Sequence, residues 1–267
     1  MSTEKFFEQT ELLRCPVCGT AFSHCGASLR CSNGHTFDPS RRGTVNFAPN
    51  AAPSRYDAAL FEARRRILAA GFYDAVIRAV RDAMPKPAGV VLDAGCGDGT
   101  FTKALRGETT VGIDLSKDAI RLAASGGGPI LWAVADLTRL PIRDASVDVI
   151  LNLFSPAHYA EFLRVLKPGG RLLKLVPQEG YLKEIRDLMG DRLRHETYSN
   201  EAVVSHLCER FRLFDRIRIT KTYPLTPVQA RDFLAMTPLT FGIETETLDA
   251  DALSGITIDV ELLIAGQ

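Results

Sequence analysis

Residues 90–99, VVLDAGCGDG, constrain this chain more than any other segment. An apolar run empties into a turn with glycine at 95, 97 and 99. Glycine tolerates positive φ and carries no Cβ, so such a turn lets the backbone approach a ligand closely. The spacing is not the dinucleotide fingerprint. Thr100–Leu105 then reads as a helix, and Val111-Gly112-Ile113-Asp114 as a second strand ending in a carboxylate. A carboxylate at that tip can accept both ribose hydroxyls of a nucleoside. Ala133–Asp136 repeats the pattern, and Val147–Asn152 and Arg171–Val176 read as further strands, with Leu163–Gly170 ending the helix between them. Alternating β and α segments, with acids and glycines at the strand ends, predict an α/β fold built on a doubly wound parallel sheet.

The first fifty residues follow a different logic. Cys15-Pro16-Val17-Cys18 is followed, after twelve residues, by Cys31-Ser32-Asn33-Gly34-His35. Two such pairs supply the four S and N ligands of a tetrahedral zinc site, closed and therefore structural. Ala21-Phe22 and Ser28–Arg30 suit the strands of a ribbon hairpin, and Gly19 and Gly34 its turns. His24 and Cys25, in the intervening loop, are the alternative ligands. A few dozen residues with little core need such a staple. The N-terminus has no apolar signal segment, and no run reaches the length of a membrane span, so a cytoplasmic protein with no membrane partner is expected. Reduced thiols in that compartment favour metal over disulfides.

Residues 48–54 read as a linker, with Pro49 and Pro53, and residues 56–84 as two helices broken at Gly71-Phe72. The predicted division is therefore a zinc-binding domain over 1–50, a helical linker over 51–86 and a cofactor-binding domain over 87–267. Lys and Arg balance Asp and Glu at 32 each, which gives no simple basic signature of nucleic-acid binding. The balance is uneven along the chain: residues 1–92 carry a basic excess and the remainder an acidic one. Beyond residue 191, with Arg192, Arg194 and His195, the chain reads as a helix over 201–207, strands over 213–223 and 255–265, and a helix over 227–236 covering a pocket.

LDAGCGDGT, GIDLS, ADLTRLP and LKPGG together resemble the motif set of class I methyltransferases, which bind S-adenosylmethionine. With the CPVC…CSNGH knuckle, the GTVNF phrase and RRRILAAGFY, nearly the whole chain resembles the bacterial 23S rRNA guanine-N1-methyltransferases of the RlmA type. The tylosin-resistance branch is the more similar one. The resemblance implies a Rossmann-like seven-stranded methyltransferase with a small N-terminal zinc ribbon. Gly95, Gly97, Asp98 and Gly99 would pass the methionine part of the cofactor, with Asp93 in support. Asp114 would grip the ribose, Asp136 and Leu137 would flank the adenine, and Asn152 would sit at the strand tip beside them. Tyr73 would contact the cofactor. Where the family has a histidine after the fifth strand, this chain reads Pro177-Gln178-Glu179-Gly180-Tyr181, so Tyr181 would take that contact. The resemblance also implies ribosomal RNA as partner and a homodimer.

The chemistry asks for a group to stack the base and a group to take the N1 proton. Phe154 suits the first role and His158 is the candidate for the second. Two rival functions share these motifs. One is a methyltransferase acting on a small molecule or peptide, and the other is an interaction protein with an inert core. Arg41, Arg42 and Arg64–Arg66 discriminate: lining one groove with the active site, they favour RNA, whereas paired with Glu62 and other acids they weaken that case.

Overall fold

The computed structural model describes residues 3–51, 57–190, 200–243 and 245–267. Of the readings above, Pro53, Arg192, Arg194 and His195 lie outside the described residues, as do residues 52–54 of the linker and residue 56.

After a short helix, α1 (Glu4–Glu8), three strands form an antiparallel sheet: β1 (Phe22–Cys25), β2 (Ser28–Cys31) and β3 (Thr36–Phe37). Gly26, at φ 63°, makes the β1–β2 turn. Leu29 is fully buried, and Phe22, Phe37 and Phe47 pack with centroids 5.1 to 5.9 Å apart. This small aromatic core is continuous with the main one. Leu13 bridges Ile142, and Arg143 N–H donates to the Leu12 carbonyl at 2.9 Å.

The main sheet collects β4 (Thr44–Asn46), β5 (Val90–Ala94), β6 (Thr109–Asp114), β7 (Leu131–Val134), β8 (Val147–Leu153), β9 (Leu166–Pro177), β10 (Arg212–Pro224) and β11 (Gly255–Gly266). Their order is β10-β11-β9-β8-β5-β6-β7-β4. Strands β4 to β9 run parallel, and β11 inserts antiparallel between β9 and β10. The central strands are apolar on both sides because both faces are covered. Ile150 and Leu172 meet α6 (Tyr159–Val165) and α8 (Glu201–Cys208) on one face. Val149, Leu151 and Leu173 meet α2 (Ala58–Ala69), α3 (Asp74–Ala83) and α9 (Pro227–Met236) on the other. Two further helices, α4 (Thr100–Ala104) and α5 (Lys117–Ala124), follow β5 and β6, and α7 (Lys183–Met189) follows β9.

The helix starts follow from local chemistry. Asp57 caps α2 by accepting from Leu60 N–H at 2.9 Å, and Ser116 caps α5. Thr226 and Gln229 form a capping box at α9, whose first residue is Pro227. No described helix is long and apolar enough to cross a membrane.

The seven strands expected of the methyltransferase part are present as β5 to β11, and an eighth joins them: residues 44–46 pair with the free edge of β7, burying Val45 completely. One expectation is corrected: LKPGG is strand rather than helix end. Leu166 is already extended and pairs with Val147, so α6 stops at Val165 and Leu166–Gly170 opens β9.

Gly112 has a packing reason inside β6. A Cβ there would fall 2.3 and 2.5 Å from ring atoms of the fully buried Trp132. Gly112→Ala should therefore destabilise by about 1–3 kcal/mol, the usual cost of overpacking a dense core. Thermal denaturation measures this, and a wild-type melting temperature would count against the packing described.

Candidate active site and metal centre

The zinc module brings its four expected ligands together. One donor atom from each of Cys15, Cys18, Cys31 and His35 lies within 4.8 Å of all the others. The His35 Nδ1 faces the quartet, 3.3 Å from Cys31 Sγ and 3.6 Å from Cys15 Sγ. Both turns are built by left-handed glycines, Gly19 at φ 76° and Gly34 at φ 82°. Burial pushes the Cys15 thiol up to about 11, whereas hydrogen bonds at Thr20 hold Cys18 down at about 6. Three sulfurs and one imidazole nitrogen in this cluster fit Zn²⁺, with no position left for substrate. The alternative ligands stand apart: Cys25 is exposed, and His24 stacks on Phe7 with centroids 3.9 Å apart.

The cofactor edge runs along the C-terminal tips of β5, β6 and β7, beside the point where strand order reverses between β5 and β8. Gly95, Gly97 and Gly99 all have positive φ. A Cβ on Gly95 would lie 1.9 Å from Ser155 Oγ, so the turn closes tightly against the β8 loop. Asp114 accepts from Gly97 N–H at 2.9 Å and Ser116 N–H at 2.8 Å, which holds the β6 carboxylate one hydrogen bond from the glycine turn. Asp98 is buried and binds Thr100 Oγ1 at 2.7 Å, fixing the start of α4. Asp136 is exposed and accepts from Thr138 N–H at 2.8 Å, with Leu137 half-buried beside it. A glycine cradle flanked by carboxylates at successive strand tips fits an adenosyl amino acid. Phe61, from α2, roofs it, 3.4 Å from where a Gly97 Cβ would be.

Asp93 lies beneath this turn, 1% exposed, and accepts from Thr102 Oγ1 at 2.6 Å. Burial raises its pKa to about 7, against the Thr102 hydrogen bond that lowers it. The folded protein therefore holds this proton more tightly than the unfolded chain. Stability from this group is full below the ordinary carboxylate range and falls as pH rises toward about 7. Asp93→Asn removes that dependence. Its melting temperature should change less than wild type between about pH 4 and pH 7, and equal slopes would contradict the assignment.

A cavity of about 800 Å³ opens beside the cradle. Tyr73, Phe101, Phe154 and Tyr181 form its aromatic wall. Phe154 stacks on Tyr181 at 5.5 Å and meets Tyr73 edge-on at 5.9 Å. The Tyr73 and Tyr181 hydroxyls lie 2.6 Å apart, so the two tyrosines expected to share the cofactor are already joined. Phe154 adopts φ 56°, a left-handed conformation uncommon outside glycine and concentrated at functional sites.

Two expected site residues occupy other places. Asn152 is fully buried, and its amide is spent on the protein. Nδ2 donates to the Ala94 and Pro156 carbonyls at 3.1 and 3.0 Å, and Oδ1 accepts from Lys174 at 2.6 Å. These bonds shape the β8 loop. His158 caps α6, with Nδ1 accepting from Glu161 N–H at 3.4 Å, and it is not among the residues lining the cavity. The residue that sequence reasoning missed is Lys174, which lines the cavity while only 4% exposed. In RLLKLV it passes for an interruption of an apolar strand, and nothing local marks it.

The arginines divide. Arg64 lines the cavity, its guanidinium 5.9 Å from the Phe101 centroid. Arg66 is clamped to Asp232 by bonds of 2.9 and 2.6 Å, which ties α2 to α9. Arg65, Arg41 and Arg42 are exposed and away from the cavity wall.

Residues 13–52 match the family model described as RlmA, N-terminal, and residues 92–174 match that of a methyltransferase domain. The chain is 37% identical, over 95% of its length and 96% of the relative's, to the "Putative 23S rRNA (guanine-N(1)-)-methyltransferase YxjB" of Bacillus subtilis (strain 168). It is 31% identical to the 23S rRNA (guanine(748)-N(1))-methyltransferase of Streptomyces fradiae, over 88% of each chain. A solved Haloferax volcanii methyltransferase, in complex with the Trm112 activator, shares the fold. Its TM-score is 0.53 at 18% identity, over 79% of this chain and 94% of that one.

Proposed function

We infer that this chain, which belongs to the 23S rRNA (guanine-N1)-methyltransferase family, transfers the methyl group of S-adenosylmethionine to N1 of a guanine in a hairpin loop of 23S ribosomal RNA. The observation that carries the inference is similarity along almost the whole chain, zinc module included, to relatives named for that reaction.

S-adenosylmethionine supplies a sulfonium methyl, an electrophile that needs no further activation by the protein. The chain's residues bind, orient and exclude water. In this reading Asp114 takes the ribose and Asp136 with Leu137 the adenine. Gly95, Gly97 and Gly99 pass the methionine end, Asp93 and Asp98 hold the turn, and Tyr73 and Tyr181 close it. Phe154 stacks the guanine. Arg64 places one cation on the cavity wall, where a backbone phosphate can reach it. Cys15, Cys18, Cys31 and His35 hold structural zinc in an N-terminal domain over 1–50, whose residues 44–46 also extend the main sheet, followed by a helical linker over 51–86 and the methyltransferase domain over 87–267. Reduced zinc thiolates and an rRNA substrate suit the cytoplasm, and by family likeness the enzyme works as a homodimer.

The test is transfer of labelled methyl from S-adenosylmethionine to purified 23S rRNA, with 16S rRNA as control. Label confined to 23S rRNA supports the inference. Label in neither RNA, from protein that binds the cofactor, turns it toward a small-molecule or peptide substrate.

A further inference from the structure

Lys174 has surroundings unlike those of an ordinary lysine. It lies in β9 with 4% of its surface exposed, and among the described residues burial, with no charged neighbour, is what acts on its amine. Among the described residues its Nζ has two hydrogen-bond partners, both neutral oxygens: Asn152 Oδ1 at 2.6 Å and the Ser155 carbonyl at 3.2 Å. A buried ammonium without a counter-charge is costly. A neutral amine has two N–H groups and one lone pair. Here two acceptors match two N–H groups, and the lone pair is left for the cavity that Lys174 lines. Burial pushes the amine down to about 8, so an appreciable share is neutral near physiological pH. Asn152 is itself fixed by the Ala94 and Pro156 carbonyls, which makes the amine's orientation rigid.

We propose that Lys174 is the general base of the reaction, its neutral amine taking the N1 proton of the guanine that Phe154 stacks. This rests on the guanine-N1 reading above. The step balances: the N1–H bond breaks and its proton passes to Nζ, forming an ammonium. The electron pair left on N1 forms the N1–CH₃ bond. The pair of the S–CH₃ bond stays on sulfur, which loses its charge. The ammonium then returns its proton to water. His158, with Nδ1 spent on the α6 cap, is replaced in this role.

The test uses the full chain with 23S rRNA and reads N1-methylguanosine in a single turnover, beside the dissociation constant for S-adenosylhomocysteine. Lys174→Ala should slow the methyl step about a hundredfold or more, with cofactor affinity unchanged. Lys174→Arg is the decisive variant. It keeps a cationic donor for Asn152 and Ser155 but has no usable lone pair, so it should be as slow as the alanine variant. Small primary amines should speed Lys174→Ala, the more basic free amines most. Wild-type turnover in Lys174→Arg, or cofactor affinity lost in step with rate in Lys174→Ala, overturns the assignment in favour of a structural tie. A wild-type enzyme that makes no N1-methylguanosine refutes the substrate reading instead, a failure visible before any variant is compared.

Discussion

Cys31→Ser is expected to release the metal and cost the protein about 3 kcal/mol or more, lowering the melting temperature by roughly 6 °C or more. The size follows from how little else holds the module. Its three strands are two to four residues long, and its core is small: Leu29 with Phe22, Phe37 and Phe47, and the buried Phe6 and Leu13 beside them. Cys31 is buried and is one of the four converging donors, so serine leaves a poor ligand in a closed site. The damage spreads because the module is fused to the main sheet. β4 pairs with β7, Phe47 N–H donates to the Val134 carbonyl at 2.8 Å, and residues 12–14 bond to residues 141–143. Cys25→Ser, at an exposed cysteine outside the quartet, should melt like wild type. Metal content by mass spectrometry and melting by circular dichroism check both. Equal melting of the two variants would mean that the quartet holds nothing that matters to stability.

Asp114→Ala should weaken S-adenosylhomocysteine binding about a hundredfold. Two charge-assisted hydrogen bonds to ribose hydroxyls are together worth about 3 kcal/mol, and each 1.4 kcal/mol is a factor of ten. The carboxylate is preorganised for this by the Gly97 and Ser116 N–H groups, so little is lost in ordering it. Asp136→Ala should cost far less, because that side chain is exposed and organises only its own turn. Isothermal titration gives both constants. Equal losses at the two aspartates would remove Asp114 from the ribose role.

Much of this was legible in the chain itself. The zinc quartet follows from spacing, because ligands in two short knuckles meet without help from distant segments. The start of α9 at Pro227 was legible too, since Thr226 and Gln229 write the capping box locally and proline suits the first helical position. The illegible parts depend on distant partners. Residues 44–46 look like the end of the zinc module, and only the free edge of β7 makes them an eighth strand. His158 looked catalytic by its place after the β8 loop, but a backbone N–H three residues on claims its Nδ1. Asn152 and Lys174 are 22 residues apart and become a pair only through the β8–β9 register, in which they face each other. No local pattern carries that information.

The most direct test of the account is primer extension on 23S rRNA treated with the enzyme and S-adenosylmethionine. A methyl on guanine N1 blocks base pairing, so reverse transcriptase should stop one nucleotide before a single guanine of a hairpin loop, and only when the cofactor is present. Full read-through on RNA that has nonetheless acquired methyl label would place the methyl on an atom other than N1 and contradict the account.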